Sequence, residues 1–388
     1  MGAQHAFLSC SGASRWLACP PSAALEATFE SFTNAAADEG TLAHALSELY
    51  LLNMLKKIKA IPYQSALKKI KHNSFFNNEM NGHAMDYVNF ITDKLFSHKD
   101  PSIFIEERID LQEYVPEGFG TVDCIIVADK ILDVTDLKYG KGILVEAHEN
   151  KQMMLYALGA LKKYRLLYEI EKVTMTIYQP RLNNFSTYEV DAETLLMWGE
   201  KEVKPKAKLA FNGKGEYSAG NHCKFCKARN TCKALADHNM EIARFAFEDP
   251  NKLTPQDIAE ILEKAMDIKT WLTNVQQYAL SEAVNNGVKW PGFKLVAGRS
   301  NRKYADELAI IKAFQKAKIK DGFYLTAPSL VGIGVLEKNL GKAEVEKLVG
   351  KFIIKPEGAA TLVPEWDKRP ELNSAEAAKI VFDEVIDD

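Results

Sequence analysis

Two acids and a lysine end neighbouring strand-like segments, and a polar pair lies one helical turn apart beyond them. The run is Gly120-Thr121-Val122-Asp123, an apolar stretch, Asp136-Leu137-Lys138, then Gln152 and Tyr156. Carboxylates that share a divalent cation beside a lysine suit phosphodiester hydrolysis. That reaction needs a held metal, an aimed water and neutralisation of charge building on phosphorus. Mg²⁺ keeps several waters, so Asp123 and Asp136 would suffice to seat it if their strands pair in register. Lys138 lies two residues after Asp136 on the same strand face, where it can orient the water or offset the charge. Asp-x-Lys by itself is also an ordinary exposed tripeptide. Gln152 and Tyr156 share a helix face. There they could guide a DNA strand, or be a surface glutamine and a core tyrosine.

Six cysteines form a second pattern: Cys10, Cys19, Cys124, Cys223, Cys226 and Cys232. Cys223-x-x-Cys226-x5-Cys232 is a chelating cluster, and an upstream cysteine would complete a four-thiolate site for zinc or an iron–sulfur centre. Spacing leaves both metals open, with zinc the commoner. Cys19 and Cys10 compete as the fourth ligand, and Cys124 sits in an apolar strand as a core residue. The opening residues lack the basic and apolar regions of a secretory signal, so the thiols are expected to stay reduced in a cytoplasm.

These residues need a scaffold. The chain has 388 residues, 47% of them hydrophobic, and a net charge of −3. Two or three domains are expected, and no segment reads as a membrane span. Bulk charge does not imply nucleic acid, so any DNA contact must use local basic runs such as Lys201 to Lys208. Hydrophobic spacing predicts helices near Gly40–Lys59 and Glu79–His98, then a strand over Ile103–Ile109. Thr121–Ala128 and Lys130–Leu137 read as a hairpin. A helix over Ala147–Tyr168 comes next, then strands Val173–Gln179 and Phe185–Val190 and a helix over Ala192–Ala210. The result is an α/β fold, a mixed central sheet flanked by helices, over residues 1–245. Residues 246–388 read as a mainly helical accessory module. Thr254 caps one helix to about Lys264, a second runs to about Asn285, and a strand covers Trp290–Val296. Its basic turn offers Arg299, Arg302 and Lys303 as phosphate contacts.

Gly-x-x-Asp, Asp-x-Lys and Gln-x-x-x-Tyr, in this order, resemble the PD-(D/E)XK nuclease superfamily, in its RecB-like exonuclease branch. The resemblance implies a restriction-endonuclease-like core. It also implies that His44, in Gly40-Thr41-Leu42-Ala43-His44, joins Asp123 and Asp136 in holding Mg²⁺ or Mn²⁺. Glu106 or Glu107 is a further candidate acid, read as a surface or supporting position. An isolated N-terminal cysteine and a C-terminal C-x2-C-x5-C that bracket these motifs resemble the AddB and CRISPR-associated iron–sulfur nucleases. That implies a [4Fe–4S] cluster on Cys19, Cys223, Cys226 and Cys232. Cys19 is preferred because Trp16-Leu17-Ala18-Cys19-Pro20-Pro21-Ser22 has the form of that segment.

Nearly the whole chain is similar to uncharacterised phage and prophage proteins, through Ser14-Arg15-Trp16-Leu17, Gly118-Phe119-Gly120-Thr121, Asp136 to Gly142 and Gly298 to Arg302. The resemblance implies a phage-encoded DNA exonuclease of the host cytoplasm that leaves a 5′-phosphate and a 3′-hydroxyl. A recombination or single-strand-binding protein is an expected partner, and an oligomer is compatible with this. A structure-specific or single-strand endonuclease is the first rival, and a non-catalytic DNA- or protein-binding scaffold the second.

Overall fold

Ser102–Asp110 (β1), Phe119–Ala128 (β2) and Ile131–Leu137 (β3) pair as an antiparallel meander. Lys172–Gln179 (β4) runs parallel to β3, and Asn184–Asp191 (β5) antiparallel to β4, giving one mixed sheet in sequence order. A parallel step needs a crossover. It is supplied by Lys151–Tyr164 (α6, numbered with the helices below). The structure is a computed structural model that describes residues 6–29, 35–128, 130–245, 254–298, 302–326, 329–356, 358–365 and 367–372.

The helices before the sheet are Ala13–Ala18 (α1), Ser22–Glu26 (α2), Ala35–Met54 (α3), Ala60–Lys71 (α4) and Asn78–Phe96 (α5). Those after it are Ala192–Trp198 (α7), Lys204–Phe211 (α8) and Lys233–Phe245 (α9). One sheet face packs on α6, which buries Met153, Leu155, Leu158 and Leu161 against Ile109, Val122, Ile125, Val134, Met175 and Ile177. Each large side chain fully buried there contributes roughly 1.5–3 kcal/mol. The other face packs on α3 and α5, through Leu51, Tyr87, Val88, Ile91 and Leu95. The Lys94 ammonium crosses that layer to Asp133 (2.7 Å) and the Thr176 hydroxyl (2.9 Å), which fixes α5 to β3 and β4.

The strands depart from simple alternation at one place. Ile103 and Ile105 face α5 while Ile109 faces α6, although all three are odd-numbered. In β2, Val122 faces α6 and Cys124 faces α5. A strand with period two cannot do this without a slip. Both strands slip at facing positions, Glu106 and Asp123, so the register on either side stays continuous. Glu106 carries the slip with a left-handed φ of 48°, an uncommon conformation for a residue with a Cβ.

Several boundaries differ from those that hydrophobic spacing predicts. α3 begins at Ala35 rather than Gly40 and stops at Met54, just before Lys56 turns left-handed at φ 56°. α6 starts at Lys151 instead of Ala147, because the Asn150 side chain accepts from the amides of Gln152 and Met153. The helix expected over Ala192–Ala210 is interrupted by a π segment, Gly199–Val203. Pro205, at the start of α8, has no N–H to give to a carbonyl in the preceding turn.

The chain divides into two compact units, Met1–Leu253 and Thr254–Asp388. The C-terminal unit opens with Pro255–Asn285 (α10), one helix of 31 residues where the sequence suggested two. Its other helices are Glu307–Lys316 (α11), Ile333–Leu340 (α12) and Lys342–Val349 (α13), gathered around Phe314, Tyr324 and Leu336. Phe293–Gly298 (β6) pairs with Gly358–Pro364. It starts later than the expected Trp290 because Gly292 turns the chain at φ 81°. No helix among the described residues is long and apolar enough to cross a membrane.

Candidate functional site

His44 on α3, Glu106 on β1 and Asp123 on β2 bring one ligand atom each to within 4.8 Å of the others. The strand slip places both acids there. The helix start that carries His44 is tied down by Arg181, on the turn after β4. Arg181 is almost wholly buried, makes two bonds to Glu39, one of 2.7 Å, and lies over the Tyr139 ring. His44 Nδ1 is 3.3 Å from Asp123 Oδ1, and Asp123 Oδ2 accepts the Leu137 amide at 2.7 Å. Ser47, Glu48, Leu51, Tyr87 and Ile105 complete the pocket wall.

Asp136 stands beside this cluster and outside it. It is buried, and its Oδ2 is 2.8 Å from Lys138 Nζ. Gln152 ties the group together: its Oε1 accepts from Lys138 Nζ at 3.1 Å, and its Nε2 donates to Tyr156 Oη at 3.1 Å and to Asp136 Oδ1 at 3.5 Å. The expected ligand set of His44, Asp123 and Asp136 therefore divides into two linked groups. One is His44, Glu106 and Asp123. The other is Asp136, Lys138, Gln152 and Tyr156, with Gln152 held by the lysine and acid of the site itself. Glu107, the alternative acid, pairs with Lys163 on the α6 side.

The charges divide accordingly. Burial opposes charge on His44, but the Asp123 carboxylate outweighs it and raises His44 to about 9. Burial likewise works against the Asp123 anion, and His44 with the Leu137 amide overcomes it, so Asp123 is lowered. Asp136 is raised by burial, partly offset by Lys138 and reinforced by the Asp123 charge. Glu106 is raised to about 7 by burial and then by Asp123. In the metal-free protein, the His44–Asp123 pair stabilises fully between about pH 3.8 and 6.5; that contribution is lost as pH rises through about 9 and, through protonation of Asp123, as pH falls below 3.8. A cation bound through the imidazole nitrogen must displace the His44 proton. Mn²⁺ affinity is therefore expected to climb about tenfold per pH unit between roughly pH 7.5 and 8.5, with a proton released on binding. Calorimetry in buffers of unequal ionisation enthalpy measures both, and His44→Gln should flatten the slope.

Gly120 sits where β2 passes under Tyr156. A Cβ there would stand 2.9 Å from both Cys10 Sγ and Tyr156 Cε1. Gly120→Ala is expected to cost about 1–3 kcal/mol of stability, read by thermal unfolding.

Four of the six cysteines converge within the N-terminal unit. Cys19, Cys223, Cys226 and Cys232 line one cavity with Arg15, His222 and Arg229. Cys10 lies apart, buried against Gly120. Glu26 closes the seam, pairing with Arg15 at 2.9 Å and accepting the Lys227 amide at 2.9 Å. Among the basic candidates of the C-terminal unit, Arg302 has both guanidinium nitrogens on Glu337, at 2.6 and 2.8 Å. Arg299 lies outside the described residues.

These observations define an α/β protein on a five-stranded mixed sheet, with a histidine–carboxylate cluster formed by α3 and the two strands β1 and β2 at one edge of the sheet. Residues 5–370 match the family described as "Protein of unknown function (DUF2800)", and the chain belongs to it. Among solved structures, one described as "Crystal structure of SSO0001" aligns at 13% identity over 58% of this chain and 95% of that one. Its TM-score is 0.22, too slight to assign a fold.

Proposed function

We propose that this protein is a divalent-metal-dependent deoxyribonuclease of the PD-(D/E)XK type, acting as an exonuclease in phage DNA replication or recombination. One observation carries the reading: a three-residue histidine–carboxylate cluster stands beside a half-buried, ion-paired Lys138. One imidazole nitrogen and two carboxylates fit Mn²⁺ or Mg²⁺, the nitrogen favouring Mn²⁺. Ligands about 2.1 Å from an octahedral ion stand about 3.0–4.2 Å apart, so small side-chain shifts from the present spacing of up to 4.8 Å close the site.

His44, Glu106 and Asp123 would hold the cation, with Asp136 as the adjoining acid. When bound, it supplies Lewis-acid charge at the scissile phosphate and makes a nearby water a better nucleophile. Lys138 neutralises charge on the phosphate oxygens as the water gives a proton to solvent, its oxygen bonds to phosphorus and the P–O3′ bond breaks. The departing O3′ takes up a proton, leaving a 3′-hydroxyl and a 5′-phosphate. Gln152 keeps Lys138 aimed, and Tyr156, bonded to Gln152, borders the strand path.

Four thiols lining one cavity suit either zinc or a [4Fe–4S] cluster, and the resemblance of the cysteine frame to iron–sulfur nucleases favours the cluster. End-labelled linear duplex, linear single strand and a closed circle, incubated with Mn²⁺, test the proposal. Loss of the linear substrates with the circle intact is expected. Cutting of the circle would move the reading to an endonuclease, and no cutting of any substrate would leave a binding scaffold.

A further inference from the structure

Tyr87 is 2% exposed, and its hydroxyl has no hydrogen-bond partner. Its ring is held edge-on by Tyr178, with centroids 5.3 Å apart, and it lines the same pocket as His44, Glu106 and Asp123. A buried hydroxyl without a partner costs stability, and phenylalanine would fill the same space without that cost. Something other than packing must account for the oxygen. An acceptor lines the same pocket. The Glu106 carboxylate makes no hydrogen bond to the described residues, and its backbone is strained at φ 48°. Strain of that kind gathers at sites where geometry serves a ligand. Asp123, by contrast, has both oxygens engaged, one by the Leu137 amide and one by His44. Glu106 is thus the acid of the cluster that lacks an orienting donor.

We infer that Tyr87 is a positioning residue whose hydroxyl donates to the Glu106 carboxylate, directly or through one water, once a divalent cation is bound. The inference rests on the metal-centre reading above. In the metal-free protein the hydroxyl is left without a bond. With the cation in place, Glu106 turns one oxygen to it and presents the other to Tyr87. Orienting donors of this kind typically contribute 10- to 100-fold in metal affinity or activity.

The test uses the full-length protein with wild type, Tyr87→Phe, Glu106→Gln and the double variant side by side. Two quantities are read: the Mn²⁺ dissociation constant by calorimetry, and the melting temperature in EDTA. Tyr87→Phe is expected to melt at or above the wild-type temperature in EDTA while binding Mn²⁺ 10- to 100-fold more weakly. In the Glu106→Gln background the same change should have little further effect on affinity, because the acceptor has been altered. Wild-type-like Mn²⁺ affinity in Tyr87→Phe would overturn the inference and leave the metal centre standing. A lower melting temperature in EDTA, matched by the loss of affinity, would show a structural tyrosine and overturn it too. Absence of Mn²⁺ binding by wild type would overturn the metal centre itself, and this inference with it.

Discussion

Lys138→Met is expected to lower DNA cutting about 10²–10³-fold, the usual effect of removing one group that stabilises transition-state charge. Manganese binding at His44, Glu106 and Asp123 should persist. The two outcomes separate because Lys138 stands outside the cation cluster. Its ammonium reaches Asp136 at 2.8 Å and Gln152 at 3.1 Å, both outside the cluster. Methionine keeps most of the stem volume, so the loss reflects charge more than packing. Burial lowers the tendency of Lys138 to carry a proton, but the Asp136 carboxylate prevails and raises its pKa. It therefore stays cationic throughout the working pH range, suited to neutralising phosphate charge and unsuited to acting as a neutral base. Lys138→Arg is not expected to restore activity, because a planar fork cannot occupy the point-charge position between Asp136 and Gln152. Single-turnover rates at saturating Mn²⁺, beside metal titrations, check both halves.

The second large effect concerns the fold. Cys226→Ser is expected to destabilise the N-terminal unit enough to unfold much of it at physiological temperature, and to lose the visible absorbance of thiolate-ligated iron. Cys19 and Cys223 are roughly two hundred residues apart in the chain, yet they share one cavity. A bond across a loop of that length removes about 5 kcal/mol of chain entropy from the unfolded state on the loop-closure model. A domain has about 5–15 kcal/mol in total. Without the staple, the N-terminal segment keeps Leu8, Ala13, Trp16 and Leu17 in the main core, while the Cys223–Cys232 segment is tied to it by Glu26 on the Lys227 amide. Circular dichroism and thermal melting of anaerobically purified protein measure this. A Cys226→Ser protein with wild-type melting and colour would rule the staple out.

The sheet and its helices were legible because their hydrophobic periods are regular. Ile131 to Leu137 and Val173 to Gln179 lie close to the expected limits. So was the neighbourhood of Asp136, Lys138, Gln152 and Tyr156, since strand and helix periods put each pair on one face. Which of the two candidate acids, Glu106 or Glu107, joins the cluster was not legible. By alternation from Ile103 and Ile105, the acid expected to share their face is Glu107. The left-handed turn at Glu106 reverses that choice, and no residue type in β1 announces it. Two adjacent acids breaking an apolar alternation were the available signal. Arg181 was missed for a different reason. It lies in a turn by sequence, and only the packing of α3 on the sheet end buries it against Glu39. The fused helix α10 and the π segment before Pro205 reflect tertiary packing and local backbone bonding that spacing does not encode.

Metal-dependent cutting that requires the histidine–carboxylate cluster is the central claim. Wild type and Asp123→Ala, purified anaerobically, should be incubated with end-labelled linear DNA over a Mn²⁺ series and in EDTA. The expected result is Mn²⁺-dependent release of 5′-phosphorylated products by wild type, none in EDTA, and none from a folded Asp123→Ala. Intact DNA with wild type at every metal concentration, or equal cutting by Asp123→Ala, would contradict it.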